Sequence, residues 1–159
     1  MNLPVPKTTF LKFLCDAKRA TYAAGQSEGK VKAALPGSTQ LEFRQGGLLY
    51  RDVFFGGSYF AGLETVYYLR RPFWAMTYAG GVVQEKMPID TDELYSLLKT
   101  ALSAVPSEAP FRGPSTLKQG VLTYTNRILG DFQRFSGSEA ISIRDVQVYH
   151  LNYSGGLLA

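Results

Sequence analysis

From residue 39 to residue 80 the chain alternates apolar and polar side chains and breaks the alternation at glycines. A period of two sends one face of each strand to a core, so this pattern constrains the fold more than any other feature. Leu41 and Phe43 alternate with Glu42 and Arg44, and Gly46-Gly47 follows as a hairpin turn. Residues 48–55 form the return strand, Gly56-Gly57-Ser58 the second turn, 59–69 the third strand, Arg70-Arg71-Pro72 the third turn and 73–79 the fourth strand. The expectation is a four-strand antiparallel meander over about 39–80. Ten Phe and ten Tyr beside a single Trp support sheet, because aromatic side chains pack well on a pleated surface.

A helical period appears on either side. Phe10, Leu11, Leu14, Ala17 and Lys18 recur at helical spacing within 8–24, with Thr8 or Thr9 as cap and Gly25 as stop. Residues 26–38 read as a loop. Leu94, Leu97, Leu98, Ala101 and Leu102 form one apolar stripe within 90–104, opened by Asp90 and Glu93 in a capping-box-like arrangement. Strands are expected at 120–128, 131–136, 140–143 and 146–153, with turns at Gly130, Gly137-Ser138 and Arg144-Asp145. No internal repeat is read. The fold class expected is α+β in one domain spanning 1–159. A strongly curved, mostly antiparallel sheet of seven or eight strands packs against one or two helices. Such a sheet can curl toward a half-barrel and offer its concave face as a pocket.

Composition excludes several classes. The net charge of +4 is dispersed, with Lys18-Arg19, Lys30 and Lys32, and Arg70-Arg71 as the only groupings, so direct nucleic-acid binding is not expected. One cysteine and one histidine allow neither an intrachain disulfide nor a Cys/His zinc site, and no metal or cofactor is expected. The N-terminus does not read as a signal peptide, and no apolar run approaches the roughly 20 residues a membrane span needs. A cytoplasmic protein with no membrane association is expected.

The stretch Tyr50-Arg51-Asp52-Val53-Phe54 sets a carboxylate among aromatics. Tyr50, Asp52 and Phe54 share one strand face, and burying an unpartnered carboxylate costs several kcal/mol. Glu64 repeats the pattern on the next strand, and Trp74, Met76 and Tyr78 share a face of the fourth. Two readings stay open. Tyr50, Asp52, Glu64, Trp74 and Tyr78 floor a pocket, or they are core whose polar groups satisfy one another. Two acids facing one cavity would be coupled, with one pKa raised, as acid–base catalysis uses. Arg112, in the rigid loop 111–115, is a clamp for an anion or half of a structural ion pair. His150 is a proton shuttle or a structural side chain, and Cys15 is core.

The segments FLKFLCDAKRATYA, LEFRQGGLLYRDVFFGGSYFAGLETV, PFWAMTYAG, PFRGPS and GDFQRFSGSEAI together resemble an uncharacterised bacterial domain-of-unknown-function family, number 5680, over nearly the whole chain. Members of that family occur alone or fused behind helix-turn-helix domains of the repressor type. The resemblance implies a sensor or interaction domain and carries over no catalytic residues. Three functions follow as expectations. The first is a small-molecule sensor, with Asp52 and Glu64 recognising a cationic or hydroxyl-bearing group, Trp74 and Tyr78 stacking on it and Arg112 gating. The second is a protein-interaction or homodimerisation domain. The third is an enzyme with Asp52 and Glu64 as acid and base.

Overall fold

The structure is a computed structural model that describes residues 3–23, 29–83 and 90–158. Helix α1 (Lys7–Lys18) starts behind Pro6, which has no N–H to leave unsatisfied, and no side chain caps it. Thr8 and Thr9 therefore do not serve as the cap expected of them. A π-helical turn, Arg19–Ala23, continues α1. The expected helix end at 24–25 lies outside the described residues. Helix α2 (Thr91–Ser103) begins as its sequence predicts, with the Asp90 carboxylate accepting from the Asp92 N–H.

The strands are β1 (Lys30–Val31), β2 (Thr39–Gln45), β3 (Leu48–Gly56), β4 (Tyr59–Tyr68), β5 (Arg71–Val82), β6 (Thr116–Gln119), β7 (Leu122–Asp131), β8 (Arg134–Ile143) and β9 (Val146–Leu157). They form one antiparallel sheet in the order β1-β2-β3-β4-β5-β9-β8-β7-β6. The sheet has nine strands, not seven or eight, and it is open, with β1 and β6 as its edges. Strand β1 falls in the stretch read as loop, and β6 falls in residues 116–119, to which the sequence reading assigns no element. The four-strand meander forms as expected. The turn expected at Gly137-Ser138 does not exist, because β8 runs straight through it. Gly137 lies opposite Tyr153, and a Cβ there would fall on the Tyr153 ring. The glycine makes room for a ring rather than a turn.

The strand order also reveals an internal duplication that the sequence reading missed. Helix α1 with β2–β5 corresponds to α2 with β6–β9, and the two halves meet at the β5–β9 seam. Tyr50 and Asp52 on β3 match Tyr124 and Asn126 on β7. Phe60, Gly62 and Glu64 on β4 match Phe135, Gly137 and Glu139 on β8. Met76, Tyr78 and Gly80-Gly81 on β5 match Leu151, Tyr153 and Gly155-Gly156 on β9. Register agrees: Asp52 pairs Glu64, which pairs Met76, just as Asn126 pairs Glu139, which pairs Leu151. Tyr78 and Tyr153 face each other across the seam. The helix stripes match as well, Phe10, Phe13, Leu14 and Ala17 with Leu94, Leu97, Leu98 and Ala101, and all eight are buried.

Both helices join the inner sheet face in one core. Phe111 stacks parallel on Phe135 at 3.9 Å, Trp74 stacks on Phe135 at 5.7 Å, and Phe10 closes the group 5.9 Å from Trp74. Because this interior is close-packed, the space beside Tyr153 cannot take a methyl group. Gly137→Ala places a Cβ 2.7 Å from the Arg127 carbonyl oxygen as well as on the ring. The expected cost is about 1–3 kcal/mol. It is read by urea unfolding; an unchanged midpoint would contradict the packing role given to Gly137.

Candidate functional site

Strands β7 and β8 build one half of a polar cluster on the inner face. Glu139 accepts from Arg112 at both oxygens, with Nε–Oε2 at 3.1 Å and Nη2 on Oε1. Tyr124 donates to Oε2 at 2.6 Å and Tyr149 to Oε1 at 2.9 Å. Beside them Asn126 uses both ends of its amide. Its Nδ2 donates to the Gly113 carbonyl at 2.8 Å, and its Oδ1 accepts from Tyr153 at 2.7 Å. Each of these side-chain polar atoms is buried and partnered.

The other half repeats this plan with one change. Glu64 accepts from Lys18 Nζ at 2.8 and 2.6 Å, and Tyr50 is its second hydrogen-bond partner. Tyr78 donates to Asp52 Oδ1 at 2.7 Å, as Tyr153 does to Asn126. Asp52 Oδ2 is buried and has no hydrogen-bond partner, and it is the one such side-chain atom among the described residues. Arg112 stands 5.8 Å from the centre of the Tyr78 ring and so links the two halves.

The electrostatics follow from this geometry. Burial raises the Asp52 carboxyl most, and the Glu64 carboxylate raises it further. Against them act the Tyr78 hydrogen bond and the Lys18 and Arg112 charges, and the result is a pKa pushed up to about 7. Burial also lowers the Lys18 ammonium, although Glu64 opposes this. Tyr50 and Tyr124 are held well above the phenol range, first by burial and then by the neighbouring carboxylates. Near neutral pH Asp52 is thus poised between acid and anion.

All six residues singled out from the sequence, Tyr50, Asp52, Glu64, Trp74, Tyr78 and Arg112, point to the inner face and are buried. Asp52 and Glu64 are direct cross-strand partners. Trp74 stands apart: its indole N–H donates to the Phe132 carbonyl at 3.1 Å and its ring belongs to the aromatic stack. Arg112 is held by Glu139. The concave face, expected as an open pocket, is filled by α1, α2 and the Arg112 loop. An open groove of about 690 Å³ lies instead on the outer face, between Thr77, Arg127, Ser138 and Asn152. His150 is half-buried on the outer side of β9, while Cys15 is buried and its thiol is raised by that burial.

Sequence reasoning missed Lys18, Tyr124, Asn126, Glu139, Tyr149 and Tyr153. Two signals could have found them. Lys18 is a lysine on an apolar helical stripe, and the Phe-x-Gly-x-Glu spacing of β4 recurs in β8.

Fold and cluster together define an α+β domain with a duplicated helix-and-four-strand unit and a sealed polar interior. The chain belongs to the family described as a domain of unknown function, DUF5680, whose model matches residues 52–158. That match opens at Asp52 and includes Glu64, Tyr78, Arg112 and Glu139. No curated protein and no solved structure matches the chain. No helix among the described residues is long and apolar enough to cross a membrane. Among the same residues no group of three or more His, Cys, Asp or Glu could hold a metal.

Two outcomes follow. The folded pKa of Asp52, about 7, exceeds its ordinary value of 3.8, so folding takes up a proton there. The stability this provides is fully present below about pH 4 and is lost as pH rises through about 7. Asp52→Asn removes that titration, so the stability of the variant relative to wild type rises between pH 4 and 7 and levels off above; urea melts across pH would show a flat difference if Asp52 titrated normally. Arg112→Met leaves Glu139 buried without its cation and is expected to cost about 3–5 kcal/mol in the same assay. A cost below about 1 kcal/mol would place Arg112 at a solvated surface pair.

Proposed function

We propose that this domain is a ligand-binding sensor or accessory domain whose inner face recognises a small molecule bearing a cationic or hydroxyl group. One observation carries the reading, the idle Oδ2 of Asp52. Buried polar atoms are nearly always partnered, and an orphaned one costs about 1–3 kcal/mol. A ligand donor that reaches Oδ2 recovers this cost. The duplicate half shows that the fold can avoid the cost, since Asn126 occupies the matching position with both its ends bonded.

The layering supports the same reading. The acids sit on interior strands of the sheet, β3, β4 and β8, whereas both cations come from the covering layer, Lys18 from the end of α1 and Arg112 from the loop after α2. A ligand enters when that layer lifts, and Arg112, standing over the ring that holds Asp52, acts as the gate. Tyr78 orients the carboxylate. A domain of this kind, carried behind a repressor-type DNA-binding module, would report on its ligand. A second reading, an interaction or homodimerisation domain, is favoured by the outer face of β3 and β4, where Phe55, Tyr59 and Leu63 are 44%, 62% and 44% exposed.

A thermal-shift screen against a broad metabolite library separates the two readings. A ligand at about a hundred times its Kd adds roughly 2.7 kcal/mol, or about 5–10 °C for a domain of this size. The expected result is a shift in wild type that Asp52→Asn abolishes. A shift from no compound, together with a stable dimer by light scattering, would overturn the sensor reading in favour of the second.

A further inference from the structure

The interior holds an uneven set of charges. Lys18 and Arg112 come from the covering layer, and Asp52, Glu64 and Glu139 come from the sheet; all five are buried. The pairs Lys18–Glu64 and Arg112–Glu139 are each neutral overall, whichever partner holds the proton. Asp52 is left over. In the duplicate half Asn126, an uncharged residue of the same shape, stands in its place, so that half is neutral without help. The half with Asp52 is one positive charge short.

Among the described residues no neighbour makes up the difference. The titratable groups that face Asp52 are Lys18 from α1, Tyr50 from its own strand, Glu64 from β4, Tyr78 from β5 and Arg112 from the loop after α2. Glu139 lies beyond Arg112. The buried side chains of α2 are all apolar, and β2 places Leu41 opposite Asp52. Both cations are already engaged with glutamates, and Tyr78 already donates to Oδ1. A buried carboxylate in this position is stabilised by a proton or by a cation from outside.

We propose that Asp52 is the anionic partner in a site for a single monovalent cationic group of the ammonium type, whose N–H reaches Oδ2 and replaces the carboxyl proton. The inference rests on the inner face being a ligand site and narrows the ligand from a cationic or hydroxyl-bearing molecule to a monocation. The exchange is balanced. The Asp52 O–H bond breaks and its proton leaves to solvent, the ligand brings one positive charge, and the interior keeps its net charge. A dication would leave one positive charge buried, and a neutral alcohol could not displace the proton. Binding therefore releases about one proton per ligand below the titration of Asp52 and none well above it, where the carboxylate is already ionised. Affinity falls about tenfold per pH unit below the titration of Asp52 near 7 and is constant above it.

The test uses the full chain with methylammonium chloride as probe. Tetramethylammonium chloride serves as the control for ionic strength and for a cation without N–H, methanol as the neutral analogue and putrescine as the dication. Thermal midpoints are measured at pH 6 and pH 8 for wild type and Asp52→Asn, with calorimetry in two buffers of different ionisation enthalpy to count protons. The expected result is stabilisation by methylammonium alone, larger at pH 8 than at pH 6, absent in Asp52→Asn, with about one proton released at pH 6 and little at pH 8. The contrast between pH 6 and pH 8 in wild type needs no variant, so the test survives a variant that does not fold. Equal stabilisation by methanol, or no dependence on pH, would overturn the monocation and leave the site standing. No stabilisation by methylammonium at either pH would also overturn the monocation. If neither methylammonium nor any neutral compound depends on Asp52, the binding reading falls with it.

Discussion

Two buried ion pairs tie the covering layer to the sheet, Lys18 to Glu64 and Arg112 to Glu139. Aromatic packing brings α1 and α2 onto the inner face, but apolar contacts tolerate sliding. A charge held inside an apolar core does not, because any displacement that separates it from its partner exposes an unpaired buried ion. These pairs therefore fix where α1 ends and where the 111–115 loop crosses β8. Tyr50 and Tyr124 complete the two carboxylates, and the core packs around them.

The duplication turns the cluster into an internal comparison. One half, with Asn126, is satisfied in hydrogen bonding and charge and reads as scaffold. The other half, with Asp52, carries the same tyrosines in the same register but an acid in place of the amide. Since the scaffold version fits this fold, packing does not require Asp52. Among the described residues its charge is the one element of the interior that structure alone does not explain, and chemistry concentrates there.

Much of the fold was legible in the sequence. Period two with glycine turns gave β2–β5 and sorted the side chains of each strand onto two faces; that Asp52 and Glu64 share a face depends on the register between strands, which the sequence left open and the pairing supplies. What escaped was long-range or concealed by packing. The cation for Glu64 lies 46 residues away on a helix, and that for Glu139 lies 27 residues away in a loop; strand periodicity says nothing about either docking. Gly137 looked like a turn because its role, making room for Tyr153, belongs to the neighbouring strand. The repeat was hidden because the inner-face positions and glycines match while the outer faces differ. The turn after Gly130 is also one residue longer than the turn after Gly56. The concave face was expected to be open, but α1, α2 and the 111–115 loop cover it, and strand periodicity does not say where helices dock.

The central claim is that Asp52 holds the charge left uncompensated in this interior. The side-chain carboxyl carbon of Asp52, followed by NMR in ¹³C-labelled protein as pH is raised, measures this directly. The account predicts a titration midpoint near 7. A midpoint at or below 4 would show that donors already satisfy the carboxylate, and it would contradict the account.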